Sequence, residues 1–175
     1  KFEKFLVLED DVIVHPKFLD VMNRLFVCAK NNTAITSVGA FSAQTNNNTN
    51  SIYLSSYFNG YGCGFWSDSP LLNYLLTVHD PYDEMVRQGL QKKIFKRHKN
   101  LKQILKKIDA ENKLNDIQAT FYHIKNDMYQ LRSALPYVAN IGFDGTGENC
   151  RVRDTQYVNN MPQDDHIFFI SDKEI

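Results

Sequence analysis

Phe5-Leu6-Val7-Leu8-Glu9-Asp10-Asp11-Val12-Ile13-Val14-His15-Pro16 runs from four apolar residues into three adjacent acids, a second β-type run and a proline. The continuous apolar run is the pattern of a strand buried on both faces of a parallel sheet. Such a strand needs neighbours. Few other runs in the chain are equally apolar, so further strands of the same sheet are expected upstream. Val12-Ile13-Val14 continues in extended backbone, and Pro16 sits at a favourable first helical position. From about Lys17 to Lys30, Phe18, Leu19, Met22, Leu25, Phe26 and Ala29 recur at helical spacing, and Asn31-Asn32 ends the stripe.

Working outward, Ile35 to Phe41 reads as a second strand, and Gln44 to Ser51 as a polar loop with no apolar face. Ile52-Tyr53-Leu54 is a short strand, Tyr57 to Trp66 an aromatic and glycine-rich segment, and Ser69-Pro70 a helix start that carries to about Val78. Met85 to Ala110 is basic, with Leu101, Ile104, Leu105 and Ile108 as the apolar stripe of one amphipathic helix. Ile117, Phe121, Ile124 and Met128 mark another helix. Tyr137 to Ile141 is a strand, followed by the turn Asp144-Gly145-Thr146-Gly147 and, beyond Arg151, an irregular tail. This order predicts an α/β domain with a mixed sheet over residues 1–150 and a tail over 151–175.

Composition narrows the function classes. The 175 residues suit one domain, with 43% hydrophobic and 23% charged residues. Lysine plus arginine and aspartate plus glutamate stand at 20 each, so no global field favours nucleic acid. The 3 cysteines, Cys28, Cys63 and Cys150, lack zinc-site spacing and read as reduced thiols. No apolar run is long enough to span a membrane and no signal-peptide pattern opens the chain, which makes a cytoplasmic location the expectation. The sequons at Asn31 and Asn47 are read as chance. Eight lysines or arginines and no acid lie between Lys92 and Lys107. That segment is either a solvated face or a peripheral contact with an anionic membrane surface.

Glu9-Asp10-Asp11 closes a strand, where ligands sit in open α/β sheets. Three adjacent carboxylates repel one another, and a hard divalent cation, Mn²⁺ or Mg²⁺, offsets that cost through oxygen ligation. On extended backbone Glu9 and Asp11 share one side and Asp10 the other. A solvated strand end is the competing reading.

Leu6 to Leu19, with its Glu-Asp-Asp triplet, resembles the metal-motif region of family 2-type glycosyltransferases, especially bacterial polysaccharide sugar transferases related to N-acetylglucosaminyltransferase I. Tyr61-Gly62-Cys63-Gly64-Phe65-Trp66 resembles that group's aromatic-glycine segment. Ile124-Lys125-Asn126, and Asn140 through Cys150, resemble its closing segment, so the likeness runs in order to about Cys150.

The resemblance implies a partial GT-A-like fold whose earlier nucleotide-recognition half precedes the acidic motif. It implies an inverting, metal-dependent transfer from a nucleotide-sugar donor to a glycan or lipid-linked acceptor. Asp11 is then the metal ligand, with Glu9 and Asp10 as donor contacts. Asp116 is the base that takes the acceptor proton, although Asn115 replaces the tryptophan common before it. An N-cap role for Asp116 competes. Tyr61, Gly62, Gly64 and Trp66 are acceptor or sugar contacts, with core packing as the rival for Trp66. Cys63 departs from the family pattern, and Asn149 stands where relatives place a histidine. A noncatalytic interaction domain of the same fold, and a metal-dependent hydrolase using the same acids, are the alternatives.

Overall fold

Strand β1 (Lys4–Val7) forms within the apolar run, but as the outer strand of the described sheet, paired antiparallel with β5 (Cys63–Trp66). The structure, a computed structural model, describes residues 2–42, 52–77, 80–106, 115–142 and 161. The expected burial between parallel neighbours is corrected, and the reason is physical. Alternate residues of a strand face opposite sides, and both sides of this sheet are covered. Phe5 stacks on Phe65 on one side, while Leu6 packs into the core under the first helix on the other. Composition reported two covered faces and could not report the direction of the neighbour. Beyond them, Val7 and Leu8 are 40% and 48% exposed.

The five-stranded sheet has the order β1-β5-β3-β6-β4, with β3 (Ile35–Gly39), β6 (Tyr129–Ser133) and β4 (Ile52–Ser55). The β3–β6 pair is parallel and the other pairs are antiparallel, so the sheet is mixed, as expected. A separate two-stranded ribbon pairs β2 (Val12–Val14) with β7 (Val138–Asn140). It ties the segment after the acids to the end of the described chain.

Helix α1 (Phe18–Ala29) covers one face through Phe18, Val21, Met22, Leu25, Phe26 and Ala29. Val21 takes the place expected of Leu19, which is 61% exposed. Pro16 precedes the helix instead of opening it. His15 supplies the turn, its Nδ1 accepting from the Lys17 amide at 3.1 Å. On the other face, α2 (Pro70–Leu76) and α6 (Asn115–Asn126) set Leu71 and Ala119 against Phe58 and Phe65. Helices α3 (Pro81–Arg87), α4 (Gln91–Arg97) and α5 (Leu101–Leu105) then enclose Phe121 and Ile124 of α6.

The single amphipathic helix expected across the basic region is, among the described residues, the end of α3 followed by two short helices, with a break between α4 and α5. His98 is extended at φ −150°. The break lets Ile94 of α4 and Leu101 and Leu105 of α5 all reach one apolar cluster. Ile108, the polar tract at 44–51, the glycine turn at Asp144, Asn149, Cys150 and the tail from 151 lie outside the described residues, Met161 apart. Among the described residues no helix is long and apolar enough to cross a membrane.

Candidate functional site

The acids sit where β1 ends, but in a turn. The Val12 amide donates to the Glu9 carbonyl at 3.2 Å, so the alternation expected of extended backbone does not apply. Each acid meets its own surroundings. Asp10 is exposed.

Asp11 is held from β7. Asn140 Nδ2 donates to Asp11 Oδ2 at 3.0 Å, and the Ile141 amide donates to the Asp11 carbonyl at 2.8 Å. Asn140 Oδ1 in turn accepts from the Gly142 amide at 2.8 Å. A Cβ at Gly142 would collide with the Asp11 carboxylate, so glycine is what allows that approach. Asp11 Oδ1 is buried and has no hydrogen-bond partner among the described residues. A buried carboxylate oxygen without a donor is costly unless a proton or cation completes it. A fixed hard-oxygen donor of this kind fits Mn²⁺ or Mg²⁺. Among the described residues no three His, Cys, Asp or Glu side chains converge as a metal-holding group. Protein ligation would then be sparse, as is usual where Mg²⁺ keeps waters and shares substrate phosphates.

Glu9 faces Asp116 across Gly60. A Cβ placed on Gly60 would lie 2.9 Å from Asp116 Oδ1 and 3.1 Å from Glu9 Oε1. The two oxygens are thus no more than about 6 Å apart, near enough to disfavour joint ionisation. Burial, then the charges of Asp116, Asp11 and Asp10, push the Glu9 carboxyl above its ordinary value.

Asp116 is the second residue of α6 and not its cap. Its Oδ2 accepts from the Gly60 amide at 3.2 Å, so the N-cap reading gives way to a contact across the fold. Burial raises its pKa, partly offset by the Gly60 hydrogen bond and the charge of Arg132.

A polar cradle holds the loop bearing Gly60. Arg132 Nε donates to Gln130 Oε1 at 2.7 Å, and Arg132 Nη2 donates to the Tyr57 carbonyl at 2.5 Å. Gln130 closes on Asn59, accepting from its amide at 3.2 Å and donating to its carbonyl at 3.1 Å. Burial lowers the pKa of Arg132, while Tyr53, Asp116 and Cys63 raise it.

Arg132, Gln130, Asn140 and Gly60 were not singled out from sequence. A signal existed for the first pair. In Tyr129-Gln130-Leu131-Arg132-Ser133, period-two alternation puts both polar residues on one side of a strand, yet all but Tyr129 are buried.

The expected acceptor contacts fare differently. Tyr61 is next to Gly60 but sets its ring edge-on to Phe41, with centroids 5.3 Å apart. At Gly62 and Gly64 the close approach is to protein side chains and not to an open ligand site. Gly62 has φ +63°, and a Cβ there would lie 2.5 Å from Val138 Cγ1. A Cβ on Gly64 would lie 2.7 Å from Phe26 Cζ. Trp66 packs edge-on to Phe26 at 5.0 Å and borders a cavity of about 550 Å³ at the far end of β5. It lies three positions from Cys63, about 10 Å along the strand. Cys63 itself is buried and free, with burial the main cause pushing its thiol up to about 12, so it is inert as a nucleophile.

The chain matches no known family model, and no curated protein matches it significantly.

Proposed function

We propose that the chain carries the acid cluster of a metal-dependent inverting glycosyltransferase with a partial GT-A-like fold, acting on a nucleotide-sugar donor. The observation that carries this reading is the meeting of Glu9 and Asp116, distant in sequence, on either side of Gly60, with a pinned Asp11 two residues from Glu9 on the same turn. One carboxylate with a buried oxygen that no described residue pairs suits a cation, and a half-buried carboxylate with a raised pKa suits a base.

Asp11 would hold the divalent ion, which supplies neutralisation of the leaving diphosphate. Asp116 accepts the proton of an acceptor hydroxyl. That oxygen forms its bond to the anomeric carbon as the carbon–oxygen bond to the diphosphate breaks, which inverts the centre. Glu9 would accept hydrogen bonds from donor hydroxyls. Arg132 and Gln130 keep the Gly60 amide on Asp116, so the carboxylate retains one fixed orientation. Asp10, exposed on the same turn, would make a water-mediated donor contact.

Calorimetry with UDP-, GDP- and CMP-sugars, with and without Mn²⁺, tests the reading on the protein extended by any upstream coding sequence. Binding of one donor that needs Mn²⁺ and is lost in Asp11→Ala supports it. Metal-independent binding untouched by Asp11→Ala overturns it. Metal-dependent donor cleavage that never depends on an acceptor would favour the hydrolase instead.

A further inference from the structure

Residues 92–106 hold seven lysines or arginines and no acid. The fold sorts them. Lys93 and Arg97 turn toward Asp127, at 2.7 and 3.7 Å. Lys92, Lys96, Lys99, Lys102 and Lys106 are exposed and make no ion pair with any described residue.

The direction of this face follows from the residue opposite it. Ile94 is fully buried. At about 100° per residue, Lys92 and Lys96 lie almost opposite Ile94, with Phe95 on one flank and Lys93 and Arg97 on the other. Phe95 is 59% exposed among these cations. Leu101 and Leu105 bury the inner side of α5 and leave Lys102 and Lys106 outward.

We infer that this outward face of α4 and α5 docks on an anionic lipid bilayer, with the five lysines on headgroups and Phe95 in the interface. An exposed phenyl flanked by lysines combines an aromatic that can sit at headgroup level with cations that attract an anionic surface. Duplex or single-stranded nucleic acid fits less well. The described arginine of this segment, Arg97, is engaged by Asp127, and no net charge on the whole chain steers a polyanion. The attraction is local and acts within a Debye length, about 8 Å at physiological salt.

The face also adjoins the acid site. The His98 ring stacks on Tyr57 with centroids 4.6 Å apart, and the Tyr57 carbonyl is the one held by Arg132. Resting on the glycosyltransferase reading for its purpose, docking here would bring a lipid-linked acceptor toward Asp116. Vesicle binding itself requires neither donor nor acceptor, so the two readings fail separately.

Co-sedimentation with phosphatidylcholine vesicles, with and without about 30 mol% phosphatidylglycerol, tests the docking face. Binding is expected to the anionic vesicles alone and to weaken at high salt. Lys92→Gln/Lys96→Gln/Lys99→Gln should lower partitioning on the order of a hundredfold. Phe95→Ser should lower it further at unchanged circular dichroism, while Asp11→Asn leaves it intact. Equal binding to neutral vesicles, no binding at all, an unaffected triple variant, or tighter binding to an oligonucleotide at the same salt each overturns the inference.

Discussion

Asp116 and Glu9 are kept close at a cost, because each raises the energy of the other's charge and both are partly withdrawn from water. Asp116→Asn should relieve this. Its amide oxygen can still accept from the Gly60 amide, and its nitrogen can face Glu9. We expect a gain of about 1 kcal/mol, read as a rise of about 3 °C in Tm, with transfer lowered roughly 10²–10⁴-fold. Loss of both stability and transfer would mean that the charge serves the fold. Gly60→Ala makes the converse case. Its methyl would press between the two carboxylates, so donor turnover should fall while Gly62→Ala, away from the acids, mainly destabilises. For Gly62→Ala the positive φ and the approach to Val138 predict about 2 kcal/mol or more, measured by urea unfolding.

At the scale of elements, Phe26 joins α1 to the sheet by filling the space left at Gly64 and meeting Trp66 edge-on. Phe26→Ala should cost about 3–4 kcal/mol by denaturant titration, since a large ring leaves a cavity beneath a helix. A cost below about 1 kcal/mol would show that α1 is held elsewhere. Elements with one exposed side were legible in sequence, as α1 and the strand at Ile52 show, and the strand at Ile35, buried throughout, was legible from its β-type residues. Strands β5 and β6 were not. Gly64 gives β5 no side chain to reveal its period, and Gln130 and Arg132 turn a buried face polar, against the usual pattern. The same inversion hid the cradle behind Asp116, whereas the Glu-Asp-Asp turn could be read because its acids stand together. Asn140 and Gly142 were hidden differently: only folding carries β7 alongside β2 and sets them against Asp11.

For the whole molecule, stability against pH is set by opposing groups. His123 is fully buried and shares a 2.7 Å hydrogen bond with Thr36 Oγ1, joining α6 to β3. Burial chiefly lowers its pKa from 6.5 to about 4. Between those values the unfolded chain binds a proton that the native chain does not. Stability contributed by His123 is therefore present above pH 6.5 and lost as pH falls toward 4, by about 3 kcal/mol in full. Glu9 and Asp116 act in the other sense. Their raised values mean that the native state holds protons longer, so their contribution falls as pH rises from the ordinary carboxylate range through the raised one. A net loss of stability on acidification between pH 6.5 and about 4 would be the mark of His123. Nuclear magnetic resonance titration of the His123 ring should give a midpoint near 4. A midpoint at its ordinary value would refute the assignment.

In the proposed reaction Asp11, pinned by Asn140 and on the same turn as Glu9, would hold a divalent ion for a diphosphate. Paramagnetic broadening by Mn²⁺, recorded with a nucleoside diphosphate present, reports this site directly. Selective loss of the Asn140 side-chain and Gly142 and Gly60 amide signals is expected, with their survival in Asp11→Asn. Broadening centred on other acids, such as Glu3 and Asp68, or signals at Asn140 and Gly142 that persist in the unsubstituted protein, would contradict it.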